Sequence, residues 1–363
     1  MIYIAYFIVA FAGLQLLIAL LNFLFRTDYA RYRSMGDELV SVLIPVRNEE
    51  SNIGNLLDDL SKQNYTNIEI FVINDDSTDN TRNIVLEKSL INNEIKLIDT
   101  DLKDNDWLGK NHACYLGASA AKGKYLLFLD ADVRLGKEVI KSLLGYLQKS
   151  RSVFLSVFPK QIILNKGVAS VVPVMNHILL SLLPLFFVRY SRFSSMAAAN
   201  GQLMLFDTEV YRAFEPHKKF RKEKVEDIHI ARFLKKKKFR IACLTGNDDL
   251  SCKMYDNYED AVEGFTKNVV AFFGNSYLAA ILFWLISFGG ILIVVSILPF
   301  WWTLIYILMI IAMRIFISST SRQNITENIM LHFVQLYNLG LLIIHSIKHK
   351  INKSYQWKGR IIT

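Results

Sequence analysis

The sequence predicts an α/β domain on a mostly parallel sheet, with membrane-crossing helices at both ends of the chain. Three observations predict it. Apolar runs of strand length alternate with amphipathic runs of helix length from about residue 40 to residue 133. Uncharged apolar stretches flank that region, and acidic clusters recur where successive apolar strands stop.

Residues 1–25 contain no charge, and a run of that length spans a hydrocarbon core about 30 Å thick. The first positive charge, Arg26, follows the run. A signal peptide has its positive charges before the apolar run and a small-residue cleavage site after it. Residues 1–26 therefore read as a retained anchor. Arg26, Arg31 and Arg33 place the next domain on the cytoplasmic side by the positive-inside rule.

A soluble domain is expected over residues 38–275. "LVSVLIPV" reads as a strand, and "NEESNIGNLLDDLSKQ" as a helix with Ile53, Leu56, Leu57 and Leu60 on one face. "IEIFVIND", "EIKLIDT" and "KYLLFLDADV" read as further strands, separated by the helices "TDNTRNIVLEKSL" and "GKNHACYLGASAA". Strands joined by helices of this length pair in parallel, and ligands collect at the carboxyl ends of such strands. Those ends carry Pro45-Val46-Arg47-Asn48-Glu49, Asn74-Asp75-Asp76 and Asp130-Ala131-Asp132. Asp79 and Ser51 read as helix caps. Carboxylates converging from separate strands repel one another unless a cation or ligand lies between them.

The second half is less regular. Residues 168–188 are apolar but interrupted by Pro173 and Pro184, and fit a buried helix pair, an interfacial segment or a lipid-facing groove. Residues 225–241 form a helix with Glu226 and Asp227 in its first turn, where acids also suit the helix dipole. Residues 277–347 hold two spans within 278–313, meeting near Pro299, and a third uncharged stretch at 329–347. That stretch carries His332, Gln335, Asn338 and His345, and reads as interfacial or re-entrant. A basic tail, 348–363, includes Trp357 and fits a headgroup surface.

The net charge of +9 concentrates in "KKFRKEK" (218–224) and "KKKKFR" (235–240). In a membrane-anchored chain these runs fit anionic headgroups or a solvated face, and no nucleic-acid partner is expected. The three cysteines lack metal-site spacing and fit a reduced compartment.

The stretches "VLIPVRNEE", "VINDDSTDNT", "GKNHACYLGASAAKGKYLLFLDADV", "NGQLMLFDTEVY" and "VEDIHIARFLKKKKFRI", in this order, resemble the family 2 glycosyltransferases. The resemblance implies the GT-A nucleotide-sugar fold and inverting transfer from a nucleotide sugar, UDP-linked in many members. It assigns Asp75 to the base, with Pro45, Arg47 and Glu49 around base and ribose. Lys110 falls to the diphosphate, and Asp130 and Asp132 to Mg²⁺ or Mn²⁺, Asp130 also standing near the ribose. Hard oxygen ligands suit either ion. Asp227 matches the catalytic base, beside Glu226, and Gly201 and Gln202 the loop beneath the acceptor. Asn74 and Asp76 depart from the family pattern, which often has aspartate and glycine there.

Polysaccharide synthases of this family carry Gln-x-x-Arg-Trp after the catalytic acid. That motif is missing here, and Lys267 of "GFTKN" (264–268) falls in its window, where it is expected to take over the phosphate contact. "GFTKN" and "WKGR" (357–360) resemble members that glycosylate carotenoid or other isoprenoid-type lipids. The expected acceptor is a hydroxyl or carboxyl group of such a lipid, on a multi-pass protein of the cytoplasmic membrane. The alternatives are transfer to polyprenyl phosphate, a short-chain polysaccharide synthase, a nucleotidyltransferase and an inactive membrane scaffold.

Overall fold

The strand Val40–Val46 sits near the middle of a seven-stranded sheet because its residues are apolar on both faces, as a strand covered on both sides requires. In the computed structural model, which describes residues 1–100, 106–352, 356–357 and 360–361, the strand order is Ile95–Asp99, Ile68–Asn74, Val40–Val46, Tyr125–Leu129, Leu203–Asp207, Phe154–Phe158, Ile241–Thr245. Leu203–Asp207 runs antiparallel to both neighbours, and every other pairing is parallel. The four strands and three helices expected before residue 133 all form, the helices being Ile53–Ser61, Thr81–Ile91 and Gly109–Ala120.

Helix Ile53–Ser61 buries Ile53, Leu56, Leu57 and Leu60 against the sheet, the face its periodicity predicts. Asp79 acts at its helix start, accepting the Thr81 N–H. Ser51 does not. Asn52 holds that cap position, and its side chain donates to Glu49 instead.

The chain forms two compact units. The sheet unit comprises Thr27–Lys160 and Phe186–Cys252. The other comprises Met1–Arg26, Gln161–Leu185 and the chain from Lys253 onward. The stretches 161–185 and 253–275, expected within the 38–275 domain, thus belong with the apolar helices.

That unit contains three helices long and apolar enough to cross a membrane, beginning at Ile2, Tyr277 and Phe300. The last runs to Thr320, past the expected boundary at residue 313, and takes in a buried Arg314. Residues 329–347 lie mostly within one helix, His332–Asn352, whose polar His332, Gln335 and Asn338 are buried. In 168–188, helix Pro173–Leu182 is buried and Leu183 is extended, the conformation preferred before proline. The Asn22 side chain accommodates the break, donating to Leu180 and Leu183 carbonyls and accepting the Leu185 N–H. Residues 356–357 and 360–361 pair as a short hairpin, while the Trp357 side chain and Lys358 lie outside the described features.

Candidate active site

Antiparallel pairing of Leu129 with Leu203 makes the residues that leave one strand meet those that enter the other. The Asp130 N–H accordingly donates to the Gln202 carbonyl at 3.1 Å. This contact joins the D-x-D strand end to the "NGQ" loop.

Lys110 stands in the first turn of helix Gly109–Ala120. Its Nζ lies 2.6 Å from Asp130 Oδ1 and 3.9 Å from Glu226 Oε1. Burial acts to discharge the ammonium, but the two carboxylates outweigh it and raise its pKa.

Glu226 and Asp227 open helix Glu226–Lys236. Burial pushes the Glu226 carboxyl up to about 7, with Lys110 opposing and the Asp227 charge adding. Burial also raises Asp227, against the hydrogen bonds it accepts from the Ile228 N–H (2.7 Å) and the Gly201 N–H (2.9 Å). Glu226 is buried, whereas Asp227 is partly accessible.

Gly201 lies among these groups. A Cβ there would meet Lys110 Nζ at 3.3 Å, Glu226 Oε1 at 3.4 Å and Asp227 Oδ2 at 3.8 Å. Its φ is not positive, so close approach, rather than backbone strain, is the reason for glycine.

Burial lifts the Asp132 carboxyl to about 7, the Asp130 and Glu49 charges adding and a hydrogen bond with Cys252 opposing. Asp132 Oδ1 is buried without a hydrogen-bond partner. Gln202 is buried and donates to Cys252 Sγ at 2.8 Å, while Asn200 donates to its amide oxygen at 3.0 Å. Cys252 therefore links the D-x-D to the loop. Sequence reading missed it because strand Leu250–Cys252 is short and its place comes from long-range pairing, as with Val133–Leu135. All three cysteines are free and buried.

A second group forms at the ends of Val40–Val46 and Ile68–Asn74. Arg47 is buried and donates to the Asp75 and Asp76 carbonyls at 2.7 and 3.1 Å. Asp75 is buried and accepts from the Thr100 hydroxyl at 3.4 Å. Asp76 adopts φ 53°, which explains why glycine suits this position. Pro45 is half-buried at the strand end, and Glu49 donates its N–H to Thr81.

Lys110, Asp130, Gly201, Glu226 and Asp227 are thus brought together, with Asp132 and Gln202 joined to them through Cys252 and the Gln202 backbone. Lys267 lies in the other unit, on helix Tyr258–Asn268, where it pairs with Glu263 at 3.4 Å.

The profile of Glycosyl transferase family 2 matches residues 41–193. The chain is 26% identical over 239 residues to a 4,4'-diaponeurosporenoate glycosyltransferase of Staphylococcus haemolyticus, covering 63% of this chain and 60% of that relative. A Staphylococcus aureus protein of the same name is 27% identical over 270 residues, 72% of this chain and 69% of its own length. The fold is similar to that of the mannosyltransferase PcManGT from Pyrobaculum calidifontis, solved in complex with GDP-Man and Mn²⁺. The TM-score is 0.58 at 15% identity, over 96% of this chain and 98% of that one. The profile extends over the strands that carry the acidic clusters, so residues 41–193 are similar to glycosyltransferase family 2 in the segment that builds this part of the site.

Proposed function

We propose that the enzyme moves a sugar from a nucleotide sugar to a hydroxyl or carboxyl group of a lipid, with inversion at the anomeric carbon. The observation that carries this is the convergence of Lys110, Asp130, Glu226 and Asp227 around Gly201. An ammonium, a strand-end carboxylate and two acids of raised pKa, drawn from three elements, fit a displacement that builds charge on a leaving diphosphate.

Asp75 and Arg47, with Pro45 and Glu49 beside them, are the proposed base and ribose pocket. Uracil presents an imide N–H and guanine a lactam N–H, and an aspartate accepts either, so UDP and GDP donors both fit Asp75. Lys110 neutralises charge on the diphosphate as the anomeric C–O bond breaks. Asp227, the more accessible acid, takes the proton of an acceptor hydroxyl as its oxygen attacks, and the Gly201 and Ile228 N–H groups hold the carboxylate in place. Gln202 braces the loop under the acceptor.

Among the described residues no group of three or more acidic, His or Cys side chains stands ready to hold a metal. Asp130 and Asp132 nevertheless fit a cation shared with the diphosphate, since Mg²⁺ commonly takes one or two carboxylates and completes its shell with phosphate and water. The unpartnered Asp132 Oδ1 is the protein atom that supports this fit. A Mg²⁺ or Mn²⁺ ion held there would stabilise the leaving diphosphate.

The names of the relatives favour a carotenoid carboxylic acid as the acceptor class. The apolar helices are proposed to make the protein multi-pass in the cytoplasmic membrane, with Arg26, Arg31 and Arg33 on the cytoplasmic side.

The test supplies labelled UDP-glucose or GDP-mannose and lipid extract to membranes carrying wild type, Asp132→Asn or Asp227→Asn, with Mn²⁺ or a chelator. Label entering the organic phase only with intact Asp132 and a cation supports the reading. A carboxylate acceptor carries no proton to remove. Asp227→Asn is then mild for a carboxyl acceptor and costs about 10²–10⁴ in kcat for a hydroxyl acceptor. Absence of transfer by a folded wild type from either donor overturns the assignment.

A further inference from the structure

Arg314 is 1% exposed within a helix apolar enough to cross a membrane. An ionisable side chain in that setting marks a functional site by default, because leaving it without a partner is costly. Its Nε donates to His332 Nδ1 at 2.8 Å, and no ion pair with a carboxylate is found for it among the described residues. Arginine has only donors, so Nδ1 must accept and the proton of His332 sits on Nε2.

That leaves a set of unanswered donors. Arg314 Nη2 and His332 Nε2 are buried without partners. His177, on helix Pro173–Leu182, is 1% exposed, lies 6.1 Å from the His332 ring and has neither nitrogen paired. The neighbouring amides behave differently. Asn328 donates to Ser318, Gln335 to Asn328 and the Ala169 carbonyl, and Asn338 to Ser170. The amide N–H groups of this polar seam are satisfied, whereas buried atoms without partners remain on Arg314, His332, His177 and the Gln335 amide oxygen.

Arg314 lies in the C-terminal half of its helix. Six residues separate it from Thr320, about 9 Å along the axis. Arg26 caps that end by donating to the Ser319 carbonyl at 2.9 Å.

We infer that Arg314, His332 and His177 form a binding site for the anionic head group, carboxylate or phosphate, of a membrane amphiphile. A planar guanidinium with a neighbouring imidazole N–H suits two oxygens of one anion. The site lies in the helical unit and does not depend on the assignment of the transfer chemistry.

Native mass spectrometry of the full chain in non-ionic detergent tests it directly, with oleate, oleyl phosphate and oleyl alcohol as probes. The expected result is one saturable adduct with an anionic probe and none with the alcohol. The tighter anion then identifies carboxylate or phosphate as the ligand chemistry. Arg314→Gln, which keeps a polar side chain of similar reach, weakens that adduct about tenfold or more. His332→Gln, which leaves the cation in place, weakens it by less. An anionic lipid retained from the cell at one per wild-type chain, and missing from Arg314→Gln, counts equally in favour. Lack of an anion-specific adduct with the wild type overturns the site whatever the variants do, as does equal binding by wild type and a folded Arg314→Gln.

Discussion

The Lys110 ammonium is held 2.6 Å from the Asp130 carboxylate, so a helix start and a strand end share one ion pair at the centre of the site. With Glu226 Oε1 3.9 Å from the same nitrogen, one cation sits between the proposed donor-side acid, Asp130, and Glu226 on the proposed acceptor side. Removing it should therefore affect both halves. Lys110→Met is expected to lower kcat/KM for the nucleotide sugar by about 10²–10³, the scale of losing one well-placed electrostatic stabiliser. Lys110→Arg should not restore it, because a planar fork does not replace a point charge between two carboxylates. Near wild-type kcat/KM in the methionine variant would remove Lys110 from the mechanism.

The Glu226 carboxyl titrates at about 7 in the folded chain, raised from 4.5 chiefly by burial. A raised acid binds its proton more tightly in the folded state than in the unfolded one. Its contribution to stability is fully present at low pH and is lost as pH rises from about 4.5 through about 7. Thermal unfolding of the solubilised, metal-free chain should thus show a lower midpoint at pH 8 than at pH 5. Asp132 contributes in the same direction, so Glu226→Gln should narrow the difference without abolishing it. An unchanged difference in the variant would contradict the assignment.

Gly201→Ala places a methyl within 3.3–3.8 Å of three charged groups that must stay in register. Crowding of this kind typically costs 1–3 kcal/mol where packing is tight. Here it should appear as a drop in kcat/KM of about tenfold or more, with an unfolding midpoint close to wild type. A fully active alanine variant would show that the approach of loop to carboxylates has slack.

In the helical unit, a Cβ on Gly340 would fall 2.6 Å from Trp284 Cε2. The indole cannot easily swing aside, since its Nε1 donates to the Leu336 carbonyl at 2.9 Å. Gly340→Ala is expected to lower thermal stability in detergent, at a cost of about 1–3 kcal/mol. A Trp284→Phe background should relieve part of that loss. If neither change moves the midpoint, these two helices are not packed through Gly340.

The first four strands were legible because each is a run of apolar residues closed by polar ones, and helices with a clear buried face separate them. Asp130 and Asp132 stood out because carboxylates close an apolar strand, whereas Lys110, Glu226 and Asp227, charges at helix starts with ordinary local explanations, were assigned only through the family resemblance. Leu203–Asp207 was not, since its direction and partners come from contacts with strands dozens of residues away. Cys252 was hidden for the same reason. Its role follows from register, and register leaves no local mark. Arg314 was misread as the end of an apolar span, because a charge in a sequence looks the same whether it meets water or is buried.

The reversed strand has one more consequence. Leu129 faces Leu203 across the ladder, so the distance between the Asp130 strand end and the Gly201–Gln202 loop is set by backbone hydrogen bonds and not by the length of chain between them. Insertions or deletions in the intervening loops can reshape what the enzyme accepts while the reacting centre keeps its dimensions. A single-residue insertion inside either strand would shift that register and separate the two halves of the site. The sheet thus serves as a ruler for the chemistry, and substrate range can diverge around it.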